Sequence, residues 1–130
     1  MRRLFDHRVQ TACRVLWCLA WLLVAVALLM PVSIAAPHRF DLVAHFAIFG
    51  VMAIGAVTFC HRPLRLFGLT LLTMTGAAIL EVAQLLSPYR TFDLVDMAFN
   101  MLGALTGYGL ALLLLVLLLR PAEAPSAARG

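Results

Sequence analysis

Six polar residues in the second half of the chain have the types and spacing of a functional site. They lie in one apolar stretch, at the start of the next stretch and in the connection between the two: Glu81, Gln84, Arg90, Asp93, Asp96 and Asn100. Their carboxylates can act as general acids or bases, or as oxygen ligands of a cation. Because ionisable groups in or beside a membrane span are costly, they mark a functional site there.

A second pair precedes them at helical spacing. Asp41 and His45 are four residues apart, so one helix would place both side chains on the same face. Together with Glu81 and Asp96 they are the candidate catalytic residues of the chain. No nucleophile motif accompanies them, which favours a binding role over an enzymatic one.

Composition predicts that these residues are positioned by membrane helices. Of the 130 residues, 64% are hydrophobic and 12% are charged, whereas a soluble domain has about half and about a quarter, respectively. A helix needs about 20 apolar residues to span a bilayer. Four stretches approach or exceed that length: about 15–34, 42–59, 66–86 and 97–119.

The predicted fold is therefore an all-α membrane protein with four transmembrane helices and short loops. The helical domain covers 15–119, after a basic segment at 1–14 and before a small, proline-interrupted tail at 120–130 that we expect to be disordered. The first stretch is longer than the apolar region of a usual signal peptide, so we expect it to be retained as an anchor.

The arginines predict the orientation. Of ten arginines, eight lie before the first stretch, between the second and third, or after the fourth; only Arg39 and Arg90 lie in the other two loops. Because positive loops stay inside, both termini should be cytoplasmic in a multi-pass membrane protein. The net charge of +4 then reflects topology and contact with anionic membrane lipids, and nucleic acid is not an expected partner.

This orientation places the polar groups of three helices at one depth. With a rise of about 1.5 Å per residue, they fall within about two turns of the outer surface. The predicted ligand-binding set is Asp41, His45, Glu81, Gln84, Arg90, Asp93, Asp96 and Asn100. The fourth stretch also carries small residues at steps of four, Gly103, Gly107 and Ala111, which allow close helix packing.

Three of these residues have structural interpretations as well. Asp41 and Asp96 lie near predicted helix starts, where aspartate is a favoured N-cap residue and complements the helix dipole. His45 can equally be a hydrogen-bonded core histidine rather than a ligand. The sequence indicates no metal site and no cofactor.

The remaining polar groups also have structural alternatives. Gln84 and Asn100 can hydrogen-bond between helices. Glu81 can pair with Arg90, and we expect its carboxylate within about 4 Å of Arg90, His45 or Asn100, since a buried carboxylate needs a partner.

The motifs together resemble the VanZ-like family. Its pattern is Glu-x-x-Gln, a short loop with proline and Arg, and then Asp-x-x-x-Asn-x-x-Gly, after an earlier Asp and His. The matching segments are Glu81–Gln84, Arg90, Asp96–Gly103 and Asp41–His45. One difference is Leu42, where family members often carry lysine.

The resemblance implies a small bacterial integral membrane protein in a family named for a member linked to teicoplanin resistance. The expected function is therefore in the cell envelope, in glycopeptide or lipoglycopeptide resistance or in binding lipid-linked envelope molecules. The alternative is a small intramembrane enzyme that uses the Asp, His and Glu groups on a lipid or cell-wall substrate. The sequence does not indicate an oligomeric state.

Overall fold

The chain is folded into a bundle of long apolar helices. The computed structural model describes residues 7–30, 38–86 and 92–119, and within them it contains no strand. The helices are α1 (His7–Leu29), α2 (His38–Gly55), α3 (Pro63–Ala83) and α4 (Leu94–Leu119). All four are long and apolar enough to cross a membrane. The predicted all-α transmembrane fold is thereby confirmed.

Helix boundaries differ from the predicted spans mainly at the first helix. It begins at His7 rather than near residue 15, because residues such as Arg8 and Gln10 are good helix formers outside the apolar stretch. It ends at Leu29 and the chain bends at Met30, the residue before a proline, where helical backbone is disfavoured. The tail at 120–130 lies outside the described residues.

The closest helix pair is α2 with α4, and glycine makes the approach possible. A Cβ atom at Gly103 would overlap the carbonyl oxygen of Phe46, and one at Gly107 would overlap that of Gly50. Ala111 continues the same face and is fully buried. The small side chains therefore let two backbones touch, which aligns the starts of α2 and α4 at one end of the bundle.

By contrast, α1 lies at the periphery and is held by two tryptophans. The Trp21 ring packs over Gly76 of α3, where an added Cβ would lie 2.6 Å from Cη2. The Trp17 Nε1–H donates to the backbone oxygen of Met52 at 2.8 Å. Only 6% of the apolar window of α1 is buried, so most of this helix is available to lipid.

Two buried polar side chains of α3 satisfy themselves within the helix. Thr70 donates to the carbonyl of Leu66 and Thr73 to that of Leu69, each at 2.9 Å. Such bonds to the preceding turn are usual for threonine in a helix. These threonines therefore need no partner in another helix, unlike the buried polar residues at the end where α2 and α4 begin.

A first prediction concerns the glycine contact. Replacing Gly103 with alanine should destabilise the protein by about 1–3 kcal/mol, because the added methyl group must displace the Phe46 backbone. Thermal unfolding of the purified protein in detergent measures this change. Gly109→Ala on the same helix is the matched control, since no atom lies within 4 Å of its would-be Cβ. Equal melting temperatures for the two variants would contradict the packing role of Gly103.

Candidate functional site

A cluster of buried and partly buried polar side chains lies where α2 and α4 begin and α3 ends. We call it the polar cluster; its members are Asp41, His45, Glu81, Asp93, Asp96 and Asn100. Glu81 has 0% and His45 2% relative exposure, so neither side chain contacts the surface appreciably. The cluster therefore unites residues that are up to 59 positions apart, from Asp41 to Asn100, in a largely enclosed space.

Its centre is a hydrogen bond between α2 and α4. His45 Nδ1 lies 2.9 Å from Asn100 Oδ1. Because an amide oxygen only accepts, Nδ1 carries the proton and the opposite nitrogen, Nε2, of the neutral ring is left with a lone pair. The bond thus fixes both the orientation of the imidazole and the atom it offers to a ligand.

Two carboxylates lie beside the imidazole ring, and one of them is close to Nε2. Asp41 Oδ1 is 3.9 Å from His45 Nε2, and the Asp41 side chain is 42% exposed. Asp96 belongs to the same group, in which one ligand atom from each of the three residues lies within 4.8 Å of the others. This arrangement can accept a proton at His45 or hold a cation between the three side chains.

Glu81 joins the end of α3 to the start of α4. Its Oε1 accepts a hydrogen bond from the backbone N–H of Asp93 at 3.3 Å. It also interacts electrostatically with His45, Asp93 and Asp96. Arg90, the expected ion-pair partner, lies outside the described residues. Within the described residues, the hydrogen bond of Glu81 runs to the Asp93 backbone rather than to His45 or Asn100.

The N-cap of α4 is Asp93, and this corrects the structural interpretation of Asp96. Asp93 Oδ1 accepts from the Val95 N–H at 2.7 Å, which satisfies one of the open donors at the helix start. Asp96 lies inside the first turn. Asp41 likewise lies inside the first turn of α2, because that helix begins at His38. Neither aspartate occupies the N-cap position, but each lies in a first turn, where a carboxylate complements the helix dipole.

Several buried polar atoms of this region have no hydrogen-bond partner among the described residues. They are Glu81 Oε2, Gln84 Nε2 and Asn100 Nδ2. An unsatisfied buried group costs about 1–3 kcal/mol, so native proteins rarely retain one without a reason. Within the described residues, two donors and one acceptor are thus left unsatisfied.

A basic cavity at the opposite end of the helices was not predicted as a site. It has a volume of about 510 Å³. Its lining residues are Gln10, Arg14, Phe59, Cys60, His61, Arg62, Arg65, Gly68 and Leu69. The sequence signal for this cavity is its arginines, which also predict the topology and contact with anionic lipids. Their charge suits contact with anionic headgroups.

Comparison with known proteins places the chain in a family. The sequence model of the VanZ/LLP1 family matches residues 13–117, which include the whole polar cluster and the glycine face of α4. Comparison with curated proteins and with solved structures finds no match. Because the family match covers most of the chain and four of its helices can span a membrane, the chain belongs to the VanZ/LLP1 family and is a membrane protein.

Proposed function

We propose that this protein binds lipid-linked or other amphiphilic envelope molecules at the outer face of a bacterial inner membrane. The observation that carries the proposal is the set of buried polar atoms left without partners among the described residues, Glu81 Oε2, Gln84 Nε2 and Asn100 Nδ2. Hydrocarbon chains cannot satisfy such groups, whereas the polar head of an amphiphile can.

Apolar side chains at the same end of the bundle favour a ligand with a tail. Phe40, Leu86 and Leu94 lie next to the helix ends that carry the cluster and are 68%, 89% and 66% exposed. A polar head could therefore reach the cluster while its hydrocarbon portion lies against these side chains. The arginine bias supports an outer position for this end.

Membership of the VanZ/LLP1 family supports a link to glycopeptide susceptibility. The test compares a bacterial host with and without this chain, using teicoplanin and a glycopeptide that lacks an acyl chain. We expect the inhibitory concentration of teicoplanin to rise more than that of the second drug. Native mass spectrometry of the purified protein should show a co-purifying amphiphile. Equal susceptibility together with no bound amphiphile would reject the proposal.

The proposed side of the membrane yields a second prediction. Reporter domains that are active only in the cytoplasm should be active after Gly130 and inactive in the loop 87–95. The reason is the predominance of arginine in the segments assigned to the inner side. A reporter active only in the loop 87–95 would invert the topology and would place the polar cluster at the inner face.

A second candidate function is an intramembrane enzyme, and the geometry of His45 favours it. Its Nε2 faces Asp41 while Asn100 fixes the ring, an arrangement suited to a general base. Asp96→Asn keeps the side-chain shape but removes a carboxylate. It should abolish turnover of a labelled envelope lipid if the cluster is catalytic, whereas a binding protein releases the lipid chemically unchanged in wild type and variant alike.

A further inference from the structure

We propose that Asp41, His45 and Asp96 bind a divalent transition-metal cation of the Zn²⁺ or Mn²⁺ class. Their ligand atoms, two carboxylate oxygens and one imidazole nitrogen, all lie within 4.8 Å of one another. Two of the ligands come from consecutive turns of α2, and the third comes from α4. The close α2–α4 contact at Gly103 therefore holds the two halves of the site together.

The distances fit an ion after a small movement of one side chain. Ligand atoms about 2.1 Å from a metal lie about 3.4 Å apart in a tetrahedral site and about 4.2 Å apart across an octahedral one. Asp41 Oδ1 and His45 Nε2 are 3.9 Å apart. Asp41 is the half-exposed member of the three, so it is free to rotate onto the ion, whereas His45 and Asp96 are held by burial.

The hydrogen bond of His45 is an independent indication of a ligand. A metal-binding histidine usually donates its second ring N–H to a carbonyl or carboxylate oxygen, which fixes the tautomer that binds metal. Here Nδ1 donates to Asn100 Oδ1 at 2.9 Å, and Nε2 is the atom that faces the Asp41 carboxylate. Asn100 would thus be a positioning residue behind the ligand.

Charge also favours a cation at this position. Glu81 is fully buried and has one carboxylate oxygen without a partner among the described residues. Several carboxylates in a poorly solvated space repel one another unless positive charge compensates them. A divalent ion would bring two positive charges to this position, whereas protonation of His45 would bring only one.

The donor set selects the kind of metal. Ca²⁺ and Mg²⁺ prefer sites made only of oxygen atoms, while an imidazole with carboxylates suits Zn²⁺ or Mn²⁺. Three protein ligands leave at least one coordination position for water or for an oxygen of a bound molecule. Such a metal site is compatible with a binding protein and with an enzyme alike.

The test uses the full chain in detergent, stripped with a chelator and dialysed against Zn²⁺ or Mn²⁺ alone. We expect about one metal ion per chain by elemental analysis and a higher melting temperature with metal. Co²⁺ should give a visible spectrum that indicates nitrogen and oxygen ligands. Absence of stoichiometric metal from the wild-type protein, with no change in melting temperature, would overturn the proposal.

Variants locate the ion. Asp41→Asn and His45→Gln should each weaken Zn²⁺ binding at least about tenfold, and Asn100→Leu should weaken it about 10- to 100-fold through the orientation of His45. His7→Gln, an exposed histidine of α1, is the matched control and should bind like wild type. Asp41 is half-exposed, so its variant should fold even if the others do not. Unchanged affinity in Asp41→Asn and His45→Gln would place the metal elsewhere and refute the site.

Discussion

Glu81→Gln should remove most of the envelope phenotype while the protein still accumulates in the membrane. Glutamine keeps the shape of the side chain and can still accept the Asp93 N–H bond, but it lacks the negative charge. Hydrogen bonds to charged groups contribute about 1.5–3 kcal/mol, so ligand affinity should fall by roughly 10- to 100-fold. The shift in teicoplanin inhibitory concentration, normalised to protein level, measures the effect.

The chain offers a matched control for this change. Glu123 is its only other glutamate and lies in the tail, far along the sequence from the polar cluster. Glu123→Gln removes the same charge and should leave the phenotype at the wild-type level. If Glu81 were only structural, Glu81→Gln would instead deplete the protein from the membrane. A wild-type phenotype at wild-type protein level in Glu81→Gln would end the proposal that the cluster is the working site.

The sequence predicts the fold well because its signals are local. A bilayer demands long apolar helices, and composition reports such helices directly. The predicted helix boundaries are wrong where a helix continues beyond its apolar stretch, because polar residues can also form helical backbone hydrogen bonds. The helix that begins at His7 shows this, since its first turns are polar and still helical. Arginine counts predict a side of the membrane, and the reporter fusions after Gly130 and in the loop 87–95 test it.

The sequence predicts which residues belong to the site much better than it predicts which of them contact each other. The cost of burying a charge singled out Glu81, and the helical spacing from Asp41 singled out His45; both side chains are buried. Contacts between side chains of different helices depend on how the helices pack. The spacing of residues along one helix does not determine that packing. Asp93 illustrates the limit: as the nearest aspartate before α4 it is the N-cap, although Asp96 has the same residue type three positions later. Likewise, the encounter of Asp41 and Asp96 depends on how deeply Gly103 lets α4 approach α2.

The hydrogen bond between His45 and Asn100 should be the largest single polar contribution to the contact of α2 with α4. Asn100→Leu has a similar volume but leaves the His45 Nδ1–H buried without its acceptor, which should destabilise the protein by about 1–3 kcal/mol. Asn100→Asp retains an oxygen acceptor but adds a carboxylate. Comparing it with Asn100→Leu therefore separates the effect of losing the bond from the effect of an added charge. Thr106→Val is the control on the same helix, because Thr106 is exposed and bonds only the carbonyl of Leu102.

A double-mutant cycle isolates that bond from the rest of the cluster. Replacing His45 by leucine in the Asn100→Leu background removes the orphaned donor, so the double variant should be less destabilised than the two single changes added together. The expected coupling is about 0.5–3 kcal/mol, measured by reversible unfolding in detergent with the metal chelated. Chelation matters because a bound ion would add its own coupling between the same residues. Strict additivity of the two changes would show that the His45–Asn100 bond does not stabilise the protein. In that case Asn100 would not fix the histidine tautomer that leaves Nε2 free to bind a ligand.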